Sequence, residues 1–146
     1  MDFLSALRIS ASGLSAERVR VNLAASNLAN AETTRGPDGK PYQRMDPVLE
    51  ATPFESELGA AGALAPEGPA PVGVRVAQVA EDSRPGKRVF NPAHPDADAD
   101  GYVTLPNVNP IHEMVNLMTA QKAYDANASA VDTLKTMAQR ALDIGS

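Results

Sequence analysis

A heptad pattern near the end of the chain constrains the fold more than any other sequence feature. Two lines of residues repeat at every seventh position and form one seam: Leu117, Tyr124, Val131 and Ala138, and beside them Ala120, Asn127, Leu134 and Ala141. The pattern predicts a single helix from Pro110 to Ile144, a rod of about 50 Å at about 1.5 Å per residue. A seam sustained over about four heptads favours a second helix packed against it.

The sequence also marks both ends of this helix. Asn109 can cap the first free N–H groups, and Pro110 suits the first helical position. Glu113 places a negative charge in the first turn, where the helix dipole favours it. Gly145 follows the last apolar residue and is a typical stop signal.

The beginning of the chain supplies the predicted partner helix, from Phe3 to Ala31. Its own heptad lines are Leu7, Leu14, Val21 and Leu28, with Leu4, Ala11, Arg18 and Ala25 beside them. Several serines and Gly13 disfavour a helix here, so its stability must come from packing. Four polar residues lie on or beside the stripe: Arg18, Asn22, Asn27 and Asn30. They either face solvent or are buried against other subunits, where they would fix the register.

Composition and charge exclude several classes of function. The net charge is -5 and the chain has no basic block, which argues against nucleic-acid binding because phosphate neutralisation needs clustered Lys and Arg. The absence of cysteine excludes disulfides, thiol catalysis and Cys-type zinc sites. Alanine supplies much of the apolar content, so the core should be thin and completed by other chains.

The segment between the helices predicts a small β module. Valine alternates with other residues from Val72 to Val79, which is the clearest strand signal, while 42–51 and Arg88–Phe90 are weaker candidates. The stretch 52–72 is rich in Pro, Gly and Ala and is interpreted as a flexible exposed loop.

The expected fold is therefore mainly α with a small β insertion. Two long terminal helices pair as an antiparallel coiled-coil-like hairpin, with the short β module and the Pro/Gly-rich loop between them. The predicted parts are an N-terminal helix (1–32), a middle module (33–106) and a C-terminal helix (107–146).

An acidic segment precedes the second helix. Asp96, Asp98 and Asp100 alternate with alanine and Gly101 follows, which resembles the first half of a calcium-binding loop. Counted from Asp96, the twelfth position holds Asn107 instead of the bidentate Glu that such a site needs. We favour an acidic turn and predict no metal site, because Asp side chains bond nearby backbone N–H groups and Gly permits a positive φ.

Neither a signal peptide nor a membrane span is predicted. Arg8 is the single basic residue of the first stretch, and Ser and Gly interrupt its apolar run. No segment approaches 18 consecutive apolar residues. If the chain leaves the cytoplasm, it uses another export route.

Two groups of short motifs flank the β module. The first is Ser26-Asn27-Leu28-Ala29-Asn30-Ala31, then Thr33-Thr34 and Pro41-Tyr42-Gln43-Arg44. The second is His94-Pro95-Asp96-Ala97-Asp98, Gly101-Tyr102-Val103, Leu105-Pro106-Asn107-Val108-Asn109-Pro110, Glu113-Met114-Val115 and Ala123-Tyr124-Asp125-Ala126-Asn127. The first group resembles the N-terminal signature of bacterial flagellar axial proteins, the family of rod and hook subunits, although Ser26 stands where many members have Asn. The second group resembles the proximal rod type within that family.

This resemblance implies a structural subunit of the flagellar basal-body rod, whose terminal helices pack in an inner tube. The rod would carry torque from the motor ring to the hook and span the periplasm. The implied partners are copies of the chain, other rod subunits, the membrane ring or adaptor at the rod base, and the flagellar type III export apparatus. No cofactor is implied.

The residues expected at subunit interfaces come from the heptad lines and the motifs. They are Leu7, Leu14, Val21, Asn27, Leu28, Asn30, Leu117, Tyr124, Asn127, Val131 and Leu134. No catalytic residue is predicted, because His94 and His112 have no evident nucleophile or metal partner. The alternative is a helical binding module or export chaperone for a secretion-system client; the seams permit it, but the Pro/Gly loops and the β module argue against it.

Overall fold

Two long helices dominate the computed structural model, which describes residues 3–53 and 72–144. They are α1 (Phe3–Ala29) and α2 (Pro110–Ile144). The predicted bounds of α2 are confirmed, and its start is capped as expected. The Oδ1 of Asn109 accepts hydrogen bonds from the N–H groups of Ile111 at 3.0 Å and His112 at 3.4 Å. The expected stop at Gly145 lies outside the described residues.

The helices contact each other and run in opposite directions. Asn27, near the end of α1, is hydrogen-bonded to Glu113, near the start of α2. A Cβ added to Gly13 would lie 3.0 Å from the side chain of Asn127. A step of fourteen residues back along α1 therefore corresponds to a step of fourteen residues forward along α2.

The packed face of α1 differs from the predicted one. Its buried residues are Ser5, Ala16, Ala24 and Asn27. The predicted line of Leu7, Leu14, Val21 and Leu28 is half-buried, and the second line of Leu4, Ala11, Arg18 and Ala25 is exposed, so that part of the prediction is wrong. Hydrophobic periodicity finds the largest apolar residues, whereas close contact between helices selects small ones.

A two-stranded antiparallel hairpin lies against α1. It consists of β1 (Met45–Pro53) and β2 (Val72–Glu81), with an irregularity in register after Val48. Residues 54–71, which hold most of the predicted flexible loop, lie outside the described residues. Thr52 and Pro53, predicted as loop, belong to β1, and Val72, where the predicted loop and the predicted strand meet, begins β2.

Side chains of α1 bond the outer edges of this hairpin. The amide of Asn27 bonds both the N–H and the C=O of Met45 in β1. The Oγ of Ser12 accepts a hydrogen bond from the N–H of Val74 in β2 at 3.1 Å. On the side away from its partner strand, each strand is therefore hydrogen-bonded to a side chain of α1.

A second, shorter antiparallel pair precedes α2. It consists of β3 (Arg88–Phe90), as predicted, and β4 (Tyr102–Thr104), which the sequence analysis did not predict. The rings of Phe90 and Tyr102 meet edge to face with centroids 5.3 Å apart. Val103 is buried between the exposed residues of β4 and anchors this pair.

The buried hydrophobic side chains of the described chain are Ala16, Ala24, Val103 and Ala120. Small residues let helices approach closely, but each removes little apolar area from water. The core is therefore thin, as the composition indicates. Across residues 3–53 and 72–144, no helix has the length and apolar character needed to cross a bilayer.

Candidate assembly interface

Asn27 connects α1 to β1 and to α2 through hydrogen bonds of its side chain. Its side chain is 1% exposed. Its Nδ2 donates to the carbonyl oxygen of Met45 at 2.8 Å and to Oε2 of Glu113 at 3.2 Å. Its Oδ1 accepts from the N–H of Met45 and the hydroxyl of Tyr42, each at 2.9 Å. An Asn side chain has two donor hydrogens and two acceptor sites, so all of them are used.

Glu113 forms the other half of this joint. It is 1% exposed, and its Oε1 accepts a hydrogen bond from Nε of Arg44 at 2.7 Å. Burial by itself lowers the pKa of Arg44, but the hydrogen bonds and charges of Asp46 and Glu113 outweigh it and raise that pKa. The buried carboxylate has both a cation and an amide as partners, which is the arrangement that a charge removed from water requires.

The turn after α1 is held by the same motif. Nδ2 of Asn30 donates to the carbonyl oxygen of Ser26 at 2.9 Å, and its Oδ1 accepts from the hydroxyl of Thr33 at 3.2 Å. The carbonyl oxygen of Ser26 also accepts from the N–H of Asn30 at 3.0 Å, so the Asn30 side chain adds a second bond at the helix end. α1 ends at Ala29 and not at the predicted Ala31.

The acidic segment forms a turn, as predicted. Oδ1 of Asp98 accepts hydrogen bonds from the N–H groups of Asp100 at 3.0 Å and Tyr102 at 2.8 Å, and Gly101 has a φ of 80°. The N–H of Tyr102, followed by Arg88, holds the pKa of Asp98 below its ordinary value.

Asp96 is directed elsewhere, to the turn after α1. It accepts a hydrogen bond from the hydroxyl of Thr34 at 2.8 Å, and Arg35 lies 3.5 Å away. No cluster of His, Asp and Glu side chains suited to a metal ion occurs within the described residues.

The motif residues therefore build an internal joint between the helices and the β module. The structure places Asn27 inside its own subunit and Asn30 half-buried on its own turn. Neither forms part of an open apolar surface. Their contact with a neighbouring subunit stays a prediction.

The candidate residues of α2 lie along the face turned toward α1. Leu117, Tyr124, Asn127, Val131 and Leu134 are all half-buried and share this face with Ala120, which is 0% exposed. The side chain of Asn127 meets α1 at Gly13. Leu7, Leu14, Val21 and Leu28 of α1 are likewise half-buried. Both sets retain accessible surface, and their contact with neighbours remains to be tested.

A surface that the sequence analysis missed lies on the opposite side of α2. Its members, here called the outer ridge, are Ile111, Met114, Val115 and Met118, which are 73%, 53%, 54% and 61% exposed. Their spacing of three, four and seven residues puts them on one helix face. This spacing is visible in the sequence and could have predicted the ridge. The longer heptad seam on the opposite face of the helix was chosen instead. Contiguous exposed apolar residues of this size mark a contact surface.

Known proteins resemble this chain along nearly its whole length. A family model described as flagella basal body rod protein matches residues 7–37, and one described as flagellar basal body rod FlgEFG protein C-terminal matches residues 99–144. The flagellar basal-body rod protein FlgC of Escherichia coli O6:H1 is 41% identical over 145 residues, covering 99% of both chains. FlgC of Bacillus subtilis is 39% identical over 151 residues, with 99% of each chain covered. FlgC of Aquifex aeolicus is 42% identical over 144 residues, covering 98% of this chain and 97% of its own.

Proposed function

This chain belongs to the FlgC family of flagellar basal-body rod proteins, and from that premise we propose that it is a structural subunit of the proximal rod. In this role it assembles with other rod proteins into the shaft that transmits torque from the motor ring to the hook. It is a structural protein and not an enzyme. The observation that carries the assignment is 41% identity covering 99% of both chains. Nothing in the comparisons supports the chaperone alternative.

The proposed architecture assigns the terminal helices to an inner tube. Residues 1–32 and 107–146 would pair as an antiparallel coiled-coil-like hairpin, and residues 33–106 would face outward as a separate module. The contact between Gly13 and Asn127, and the complete burial of Ala120, support a closely packed pair of helices. A shaft under torsion benefits from such pairs, because many moderate contacts share the shear between subunits.

The half-buried apolar residues are the proposed lateral contacts. The α1 members are Leu7, Leu14, Val21 and Leu28, and the α2 members are Leu117, Tyr124, Val131 and Leu134. Each keeps accessible surface, and burying that surface against a neighbour would stabilise the assembly. In this proposal Asn27 and Asn30 act indirectly, by fixing the helix ends that neighbours meet.

The proposed partners are copies of the chain, other rod subunits, the membrane ring or adaptor at the rod base, and the type III export apparatus. The rod would span the periplasm. The relatives are flagellar basal-body rod proteins, which supports the rod itself. The particular neighbours and the export route rest on family membership.

The direct test is to delete the gene for this chain in its own bacterium and then restore it from a plasmid. Deleting its gene should abolish motility, and a plasmid copy should restore it. Isolated basal bodies from the restored cells should contain the chain, as detected by an antibody in the rod fraction. Motile deletion cells, or basal bodies that lack the chain in wild-type cells, would contradict the assignment.

A further inference from the structure

We propose that the outer ridge of α2 docks onto the outer face of α1 in the next copy of the same chain. The outer face of α1 is the row of exposed residues turned away from α2: Leu4, Arg8, Ala11, Ser15, Arg18, Asn22, Ala25 and Ala29. This inference rests on the proposed function as a rod subunit and names the partner of its helices.

The two surfaces lie on opposite sides of the helix pair. Ile111 and Met118 lie about half a turn around α2 from Ala120, the buried residue that faces α1. Asn22 and Ala29 lie similarly about half a turn around α1 from the buried Ala16 and Ala24. One subunit therefore presents its ridge to one side and its α1 face to the other.

The two surfaces match in position along the helix axis. The contacts of Asn27 with Glu113 and of Gly13 with Asn127 set a common level for the two helices. On that scale Ile111 lies level with Ala29, and Met118 lies level with Asn22. Ile111 and Val115 thus stand at the height of Ala29 and Ala25, and Met118 stands at the height of Asn22. A neighbour placed beside the subunit at the same height brings the ridge against the outer face of α1.

The two surfaces also differ in charge on the C-terminal side of the ridge. The outer face of α1 carries Arg8 and Arg18 and no acidic residue. Beyond the ridge, the outward side of α2 carries Asp125 and Asp132, with Lys122 between the ridge and these carboxylates. On the common level Arg8 stands opposite Asp132, whereas Arg18 stands opposite Lys122 and one turn from Asp125. Pairing α1 with α2 therefore brings two carboxylates and one lysine near the arginines, whereas pairing α1 with α1 brings only arginines together.

Such a contact joins two different surfaces, so one contact between two subunits leaves a ridge and an α1 face uncovered. Each added subunit offers the same pair of unfilled surfaces, so the contact propagates around or along an assembly. A ridge-to-ridge contact would instead stop at a dimer and leave the small-residue face of α1 uncovered.

Disulfide trapping tests this arrangement, because the chain has no natural cysteine. The variant Met118→Cys/Asn22→Cys should give a ladder of cross-linked multimers when basal bodies are oxidised and run on a non-reducing gel. The second pair, Ile111→Cys/Ala29→Cys, should do the same. Each single-cysteine chain should stay monomeric, as should the register control Ser129→Cys/Asn22→Cys.

Three results would overturn the proposal. One is the absence of a ladder from both pairs although the chains are present in the basal bodies. Another is a dimer formed by Met118→Cys alone, which indicates a ridge-to-ridge contact. The third is a cross-link to a different basal-body protein in place of a ladder. Absence of the wild-type chain from basal bodies would instead contradict the proposed function itself.

Discussion

The side-chain amide of Asn27 and the carboxylate of Glu113 are hydrogen-bonded at 3.2 Å, although 86 positions separate them in the chain. Both residues are 1% exposed. The bond ties the last turn of α1 to the first turn of α2, and the remaining bonds of the two side chains reach Tyr42, Arg44 and Met45. This one contact sets the height at which the two helices pass each other.

Replacing Asn27 should destabilise the isolated subunit. Asn27→Ala leaves the backbone of Met45 and one oxygen of Glu113 without their partner, and several lost buried hydrogen bonds at about 1 kcal/mol each predict a loss of about 3 kcal/mol. Urea denaturation followed by circular dichroism measures it. The exposed Asn22→Ala should change the free energy of unfolding by less than about 0.5 kcal/mol. Equal losses in the two variants would refute the role of Asn27.

The hydroxyl of Tyr42 should contribute through Asn27. Tyr42→Phe removes the bond of 2.9 Å to Oδ1 of Asn27 and should cost about 1 kcal/mol. In an Asn27→Ala background the same change should cost less, because only the longer contact of 3.4 Å with Oγ of Ser26 remains. Tyr124→Phe, on the seam of α2, is the matched control and should be close to neutral. A double-mutant cycle by denaturant titration gives these values; additive effects would contradict the proposed bond.

The contact between Gly13 and Asn127 should decide the effect of adding a methyl group to α1. Alanine favours a helix over glycine by about 1 kcal/mol, but its Cβ at position 13 would lie 3.0 Å from the Asn127 amide. We expect Gly13→Ala to stabilise the wild-type chain little or not at all. In an Asn127→Ala background it should stabilise by most of that 1 kcal/mol. Thermal melts of the four chains test this, and an equal gain in both backgrounds would contradict it.

Asp98 should make the acidic turn sensitive to low pH. The N–H of Tyr102 and then Arg88 lower the pKa of Asp98 below 3.8. A carboxyl group whose pKa is lowered by folding stabilises the fold at pH values above 3.8. This contribution is lost as the pH falls through the lowered pKa of the folded state. Titration of the Asp98 carboxyl carbon by NMR should give a midpoint below 3.8. Arg88→Ala should raise that midpoint part of the way toward 3.8, and Lys87→Ala is the control for a change of charge nearby. A midpoint that stays the same in Arg88→Ala would exclude a contribution from the ion pair.

Leu134→Asp should block rod assembly. Leu134 is half-buried on the seam of α2, and a carboxylate there would be covered without a partner when subunits pack. Cells that carry this variant should be non-motile, as judged by swarming in soft agar. Ser129→Asp, on the exposed side of the same helix, should preserve motility. Motile Leu134→Asp cells with normal rods would disprove the prediction.

The sequence predicts the long elements well, because their signals are local. Pro110 with its Asn109 cap marks the start of α2, and the valine alternation marks β2. β4 was not predicted, because it is a strand through its pairing with β3, and nothing local in Tyr102–Thr104 signals that pairing. Short strands are defined by pairing and not by propensity.

The packing of α1 could not be read from hydrophobicity. The sequence points to its leucines, but the helix buries Ser5, Ala16, Ala24 and Asn27. Small residues bring the helices close, and Asn27 is stable in the interior because four hydrogen bonds satisfy it. Those partners lie far away in the chain, so no local pattern reveals them. The same preference for large periodic residues drew attention to the seam of α2 and away from its outer ridge.

A subunit that polymerises must also avoid joining in the wrong way. A free β edge is a template on which any extended chain can add, and a two-stranded hairpin has two such edges. Here Asn27 occupies the edge at Met45 and Ser12 occupies the edge at Val74. Pro47 and Pro53 leave further gaps in the row of donors along β1. Crowded copies of this chain are therefore steered away from amyloid-like stacking and left to associate through their helices.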